Sequence, residues 1–203
     1  SVPATSHIFR STDGGRTWGA WTALPDWCFE TTILCLRSGK LIAAIRYQPL
    51  VDLDIPLAKL GKRLFLADSV DQGRTWSDFR PLRRTPHGPA DVALGECHGE
   101  LSEVSDGTLV ATHDRRYPRD RAQLLARISR DQGQTWSPEV YGLTLPGGTA
   151  TGSSRRGYGT GYASSIVLED DAIVTMTGAG TCVCIWAGKG LKGRGGAVSY
   201  THL

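Results

Sequence analysis

The residues able to do chemistry sit beside short turns. Glu30 lies nine residues before Gly39 of a Ser-Gly turn, and Arg46 lies seven after it. Arg115, Arg116, Arg119 and Arg121 crowd one polar stretch, and Tyr162 opens the run Gly161-Tyr162-Ala163-Ser164-Ser165-Ile166. His98 and His113 stand near the ends of apolar runs. A fixed guanidinium matches a carboxylate with two parallel hydrogen bonds, so these arginines suit an anionic ligand. Each residue also has a plainer reading: a solvated Glu at a strand start, an Arg at a strand end, a basic loop, a histidine hydrogen-bonded into structure. No phosphate-cradling loop and no Ser–His–Asp pattern is present.

The elements that position these residues repeat. Ser11-x-Asp13-x-Gly15-x-Thr17-Trp18 recurs at 69–76 and again at 129–136, with the tryptophans 58 and 60 residues apart. A fixed period of this size marks an array of supersecondary units. A short apolar run precedes each motif, and the motif reads as a hairpin turn. Gly15, Gly73 and Gly133 supply the positive φ such a turn needs. Ser and Asp bond its backbone, and Trp anchors the core. A second hairpin lies between motifs: Thr31–Leu36 with Leu41–Ile45, Glu100–Val104 with Leu109–Thr112, and Ala163–Leu168 with Ala172–Met176. Two hairpins per period give four strands per unit, and no stretch carries a helical apolar period. The expected class is all-β, a propeller of four-stranded blades.

The S-x-D-x-G-x-T-W element resembles the Asp-box, or BNR repeat, of the sialidase superfamily, over roughly residues 6–176. The resemblance implies a six-bladed propeller in which the boxes lock turns on the rim, away from the active site. Six blades at this period need roughly 350 residues to close the ring. The chain then supplies about three blades, the C-terminal half, and is expected to be a fragment inactive alone. The resemblance implies a retaining exo-glycosidase acting on terminal sialic or related acidic sugars. Tyr162 is then the nucleophile and Glu30 the base that takes its proton, with Tyr158 as an alternative nucleophile. Arg46 and Arg121 hold the substrate carboxylate, with Arg116 and His98 as further binding residues. A neutral tyrosine escapes the repulsion that a carboxylate nucleophile would meet from the substrate's own carboxylate. The family's first arginine and its acid/base aspartate fall in blades outside this stretch. His113 joins His98 as a pocket candidate, and functional histidines would point to a sugar other than sialic acid. The competing reading is a non-catalytic carbohydrate-binding or scaffold propeller, because propellers host many functions.

Composition excludes other classes. Lys and Arg total 23 against 20 Asp and Glu, a net charge of +3. The last acid is Asp171, so residues 1–171 balance at 20 against 20, and the excess is Lys189, Lys192 and Arg194. A neutral body argues against nucleic-acid binding by bulk charge. An apolar fraction of 40% suits a folded chain. No run approaches the ~20 apolar residues of a membrane helix, and no charged-then-apolar leader is visible after Ser1. Five cysteines argue against a disulfide framework, and Cys182-x-Cys184 is too little for a zinc site. No metal or cofactor is expected; the implied partner is a glycan. After Thr177 the pattern stops, with seven glycines in 19 residues and no acid. The expected division is a propeller part, 1–176, and a glycine-rich tail, 177–203, foreign to the fold or disordered.

Overall fold

The computed structural model describes residues 6–25, 27–47, 63–82, 96–115, 123–137, 141–143, 162–177, 182–187 and 199–202. All regular structure among them is β. The first sheet pairs β1 (His7–Arg10) with β2 (Gly19–Ala23). The second runs β3 (Cys28–Cys35), β4 (Leu41–Tyr47), β5 (Arg63–Ser69), β6 (Ser77–Pro81). The third runs β7 (Glu96–Glu103), β8 (Leu109–Arg115), β9 (Gln123–Ser129), β10 (Tyr141–Gly142). The fourth runs β11 (Ser164–Val167), β12 (Ala172–Thr177), β13 (Cys182–Ala187), β14 (Ser199–His202). Every pairing is antiparallel between neighbours in sequence, so each sheet is a meander. The sheets stack face to face in chain order: a partial β-propeller whose innermost strands are β3, β7 and β11.

Apolar layers between successive sheets hold the stack. Leu24, Cys28, Ala43, Ile45 and Ala67 fill the first gap, and Ile42, Ala44, Leu64, Leu66, Leu109 and Ala111 the second. Val110, Leu124, Ala126, Leu143 and Ile173 fill the third. β4 shows why: successive residues point to opposite faces, and both faces meet a sheet, so Ile42 to Ile45 are all buried. Each buried Leu or Ile contributes ~1.5–3 kcal/mol by leaving water. Gly99 lets β7 seat against the second sheet. A Cβ there would lie 2.5 Å from Leu64 Cδ2 and 3.1 Å from Ala44 Cβ.

The three repeated turns share one network. In the second, Ser69 Oγ donates to Asp71 Oδ1 at 2.9 Å and accepts from the Gly73 N–H at 2.8 Å. Thr75 donates its N–H to Asp71 Oδ1 and its hydroxyl to Oδ2, at 2.9 and 2.7 Å. The same bonds recur around Asp13 and Asp131. They hold all three carboxyls below the usual range. For Asp13 and Asp71 the Thr17 and Thr75 bonds lead; for Asp131 burial is the largest single effect and opposes, and the bonds from Thr135, Ser129 and Gln134 together outweigh it. Gly15, Gly73 and Gly133 take φ of 87°, 77° and 83° as the motif requires. Guanidinium groups tie the boxes to the preceding sheet: Arg10 reaches the Gly73 carbonyl, and Arg80 the Gly133 carbonyl at 2.8 Å.

Two expectations change. Trp76 and Trp136 pack against the cores of the first and second gaps, but Trp18 is exposed. Its indole only donates to the Gly15 carbonyl at 3.0 Å, because among the described residues no sheet covers that face. In the stretch that breaks the sequence pattern, β13 and β14 complete the fourth sheet, Cys182 to Ala187 pairing with β12 along its length. Cys182-Val-Cys-Ile-Trp-Ala187 is the apolar run that precedes the box in other sheets. It is hard to see because no box follows.

Candidate active site

The inner turns give a common register. Leu36 donates its N–H to the Lys40 carbonyl and accepts from the Gly39 N–H. Val104 does the same with Thr108 and Gly107, and Leu168 with Ala172 and Asp171. Six residues before these anchors (36−30, 104−98, 168−162) stand Glu30, His98 and Tyr162. The three side chains thus occupy one equivalent position on three adjacent blades, Glu30 and His98 within β3 and β7 and Tyr162 just before β11, at the end of the channel opposite the Asp-boxes. Ten residues after the first two anchors (46−36, 114−104) stand Arg46 and Asp114 on the second strands, β4 and β8.

The backbone is irregular at this level. The β3–β4 register shifts between Cys28 and Thr31, and the β7–β8 register between Cys97 and Glu100. Each shift is a bulge that re-aims the side chain inside it. His98 (φ 47°) and Tyr162 (φ 54°) lie in the left-handed region, which large side chains rarely adopt.

The side chains converge. Arg46 Nη1 donates to Glu30 Oε2, and His98 Nε2 lies 2.8 Å from the same oxygen. His98 Nδ1 lies 3.3 Å from Asp114 Oδ2. The His98 and Tyr162 rings pack with centroids 4.0 Å apart and planes tilted by 37°. Burial is graded across the cluster. Asp114 is 1% exposed, His98 is buried, Glu30 is partly open, and Tyr162 is 66% exposed. A charged and hydrogen-bonded floor therefore carries two groups that a ligand could reach. Among the described residues no group of three His, Cys, Asp or Glu side chains is arranged to hold a metal ion.

Of the residues singled out in the sequence, Glu30, Arg46, His98 and Tyr162 come together; Arg116, Arg121 and Tyr158 lie outside the described residues. Arg46 engages Glu30. His113 does not line the site. It shares the face of Leu109 and Ala111 and is fully buried, with neither ring nitrogen hydrogen-bonded. Asp114 was missed, yet its offset from Gly107 (114−107) equals that of Arg46 from Gly39 (46−39). The repeat could have found it, but Asp and Arg in equivalent slots do not look alike.

A family model for the BNR/Asp-box repeat matches residues 127–138. No curated protein matches the sequence. Among solved structures, a protein of unknown function from Dyadobacter fermentans is 15% identical with a TM-score of 0.67, covering 97% of this chain and 52% of its own. The Penicillium chrysogenum alpha-L-arabinanase complexed with arabinobiose is 18% identical with a TM-score of 0.60, covering 98% and 54%. The Trypanosoma rangeli sialidase in complex with the inhibitor DANA is 16% identical with a TM-score of 0.56, covering 91% and 26%. The chain spans about half the length of the first two and about a quarter of the third. It carries the BNR/Asp-box repeat on the propeller fold that sialidases and arabinanases share.

Proposed function

We propose that this chain forms one side of the active site of a retaining, exo-acting glycoside hydrolase of the sialidase type. Its substrate class is a glycan ending in an acidic sugar. One observation carries the reading: Glu30 and Tyr162, the candidate base and nucleophile, both touch the same imidazole, from equivalent positions two blades apart. Tyr162 attacks the anomeric carbon, and its phenolic proton passes to Glu30. The bond to the aglycone breaks, and the leaving oxygen takes a proton from an acid on blades beyond this chain. Water then cleaves the glycosyl-tyrosine bond, giving net retention, the tyrosine exception among glycosidases. Arg46 orients Glu30 through their ion pair and presents its guanidinium beside the substrate's carboxylate, with Arg121 and Arg116 as further cations.

The test joins this chain to the blades that close its ring and measures hydrolysis of an aryl sialoside and an aryl α-L-arabinofuranoside. Sialoside turnover should fall at least ~10³-fold in Tyr162→Phe and about 10²–10⁴-fold in Glu30→Gln, the range for a lost general base. Binding without turnover would favour the non-catalytic carbohydrate-binding reading. Turnover indifferent to Tyr162→Phe would exclude the mechanism.

A further inference from the structure

We propose that His98 is a positioning residue of this site, pinned by buried Asp114 and fixing in turn the Tyr162 ring and the Glu30 carboxylate. This rests on the active-site reading above and adds residues that the sialidase resemblance does not supply.

An imidazole on a bulge turns about its side-chain bonds unless something stops it. A partner at one ring nitrogen fixes where the other nitrogen points. Here the partner is Asp114, 3.3 Å from Nδ1 and almost wholly buried, so it cannot swing away. Nε2 then faces Glu30 at 2.8 Å. The ring face is left to Tyr162, whose centroid lies 4.0 Å away, closer than the ~4.5–7 Å usual for aromatic pairs. Tyr162 is 66% exposed, and the His98 ring packs against it. The backbone agrees. The two residues with touching rings both hold a positive φ, and such strain persists only where surroundings over-determine it. Gly99 allows β7 to approach Leu64 and Ala44, which sets the position of His98 over the second sheet.

A purely structural His98–Asp114 pair would satisfy itself and leave Tyr162 indifferent. A positioning pair passes its loss on to Tyr162. The experiment uses this chain with ring-labelled tyrosine and follows the Tyr162 cross-peak in proton–carbon correlation spectra, assigned by its disappearance in Tyr162→Phe. His98→Ala and Asp114→Ala should both move that peak toward the position of an unstructured tyrosine. Asp114→Asn, which keeps an acceptor oxygen, should leave it near its original place. An unmoved peak in Asp114→Ala would overturn the proposal. If Asp114→Ala loses the dispersed spectrum of a folded chain, His98→Ala decides, and an unmoved peak there is equally fatal. In the ring-completed enzyme, Asp114→Ala should lower kcat about tenfold or more with KM within about threefold, as expected for an interaction that orients reacting groups. Unchanged turnover in Tyr162→Phe would remove the active-site reading while leaving the spectral result to judge the positioning pair.

Discussion

At His113 the fold buries an imidazole completely, near Glu96, Arg127 and Asp114 but with both ring nitrogens unbonded. Burial holds its pKa below the ordinary 6.5; Glu96 opposes this, Arg127 reinforces it, and Asp114 opposes it. The folded chain therefore binds fewer protons here than the unfolded chain does just below pH 6.5. Stability is full above that value and falls as the pH drops through it toward the folded pKa. Melting midpoints between about pH 8 and pH 5 should fall more steeply in the wild-type chain than in His113→Leu; parallel curves would assign the acid sensitivity elsewhere. Residue by residue, the sequence revealed what the turns count off. Glu30, Arg46 and Tyr162 sit at offsets from recognisable glycines or beside a distinctive run. His113 looked equal to His98 because two separate facts part them: alternation along β8 turns His113 to the face of Leu109 and Ala111, and the β7 bulge, which no residue type announces, turns His98 into the site.

Among the strands, the repeat made the turn device visible and left the clearance at Gly99 unseen. The S-x-D-x-G-x-T-W turns were legible because Ser, Asp, Gly and Thr each make a bond or a φ that few other residues can make. Gly99 was not. It lies in a strand with no turn to explain it, and its role is the approach of Leu64 from another sheet. Gly99→Ala should destabilise the chain by about 1–3 kcal/mol, the usual cost of overpacking, read as a lower urea midpoint. It should also perturb the Tyr162 resonance, since β7 carries His98. The same change at half-buried Gly107 meets nothing within 4 Å, but its φ of 81° still strains an alanine, a cost of ~1–2 kcal/mol. Loss of stability at Gly107 alone, with Gly99→Ala neutral, would contradict the packing described for β7. β13 went unseen for a related reason: a strand was sought by its turn, and this one has none of the box's residues after it.

Over the whole molecule the charge balance of residues 1–171 now has a location. Much of the positive charge is spent on structure: Arg10 and Arg80 clamp the boxes of the next sheet, and Arg46 holds Glu30. The channel end gathers two acids, an arginine and a histidine beneath an open tyrosine, a balance that composition averages away. Adjacent blades lend residues to the same spot because the propeller stacks equivalent positions around one axis. A sequence repeat alone says that positions are equivalent; only the stack says that they touch. The most direct test of a tyrosine nucleophile here is covalent trapping. The ring-completed protein would be incubated with a fluorinated sialosyl fluoride, digested and mapped by mass spectrometry. One glycosyl group on the peptide containing Tyr162, absent from Tyr162→Phe, is the result predicted; a label on another residue, or none while the substrate is still hydrolysed, would contradict it.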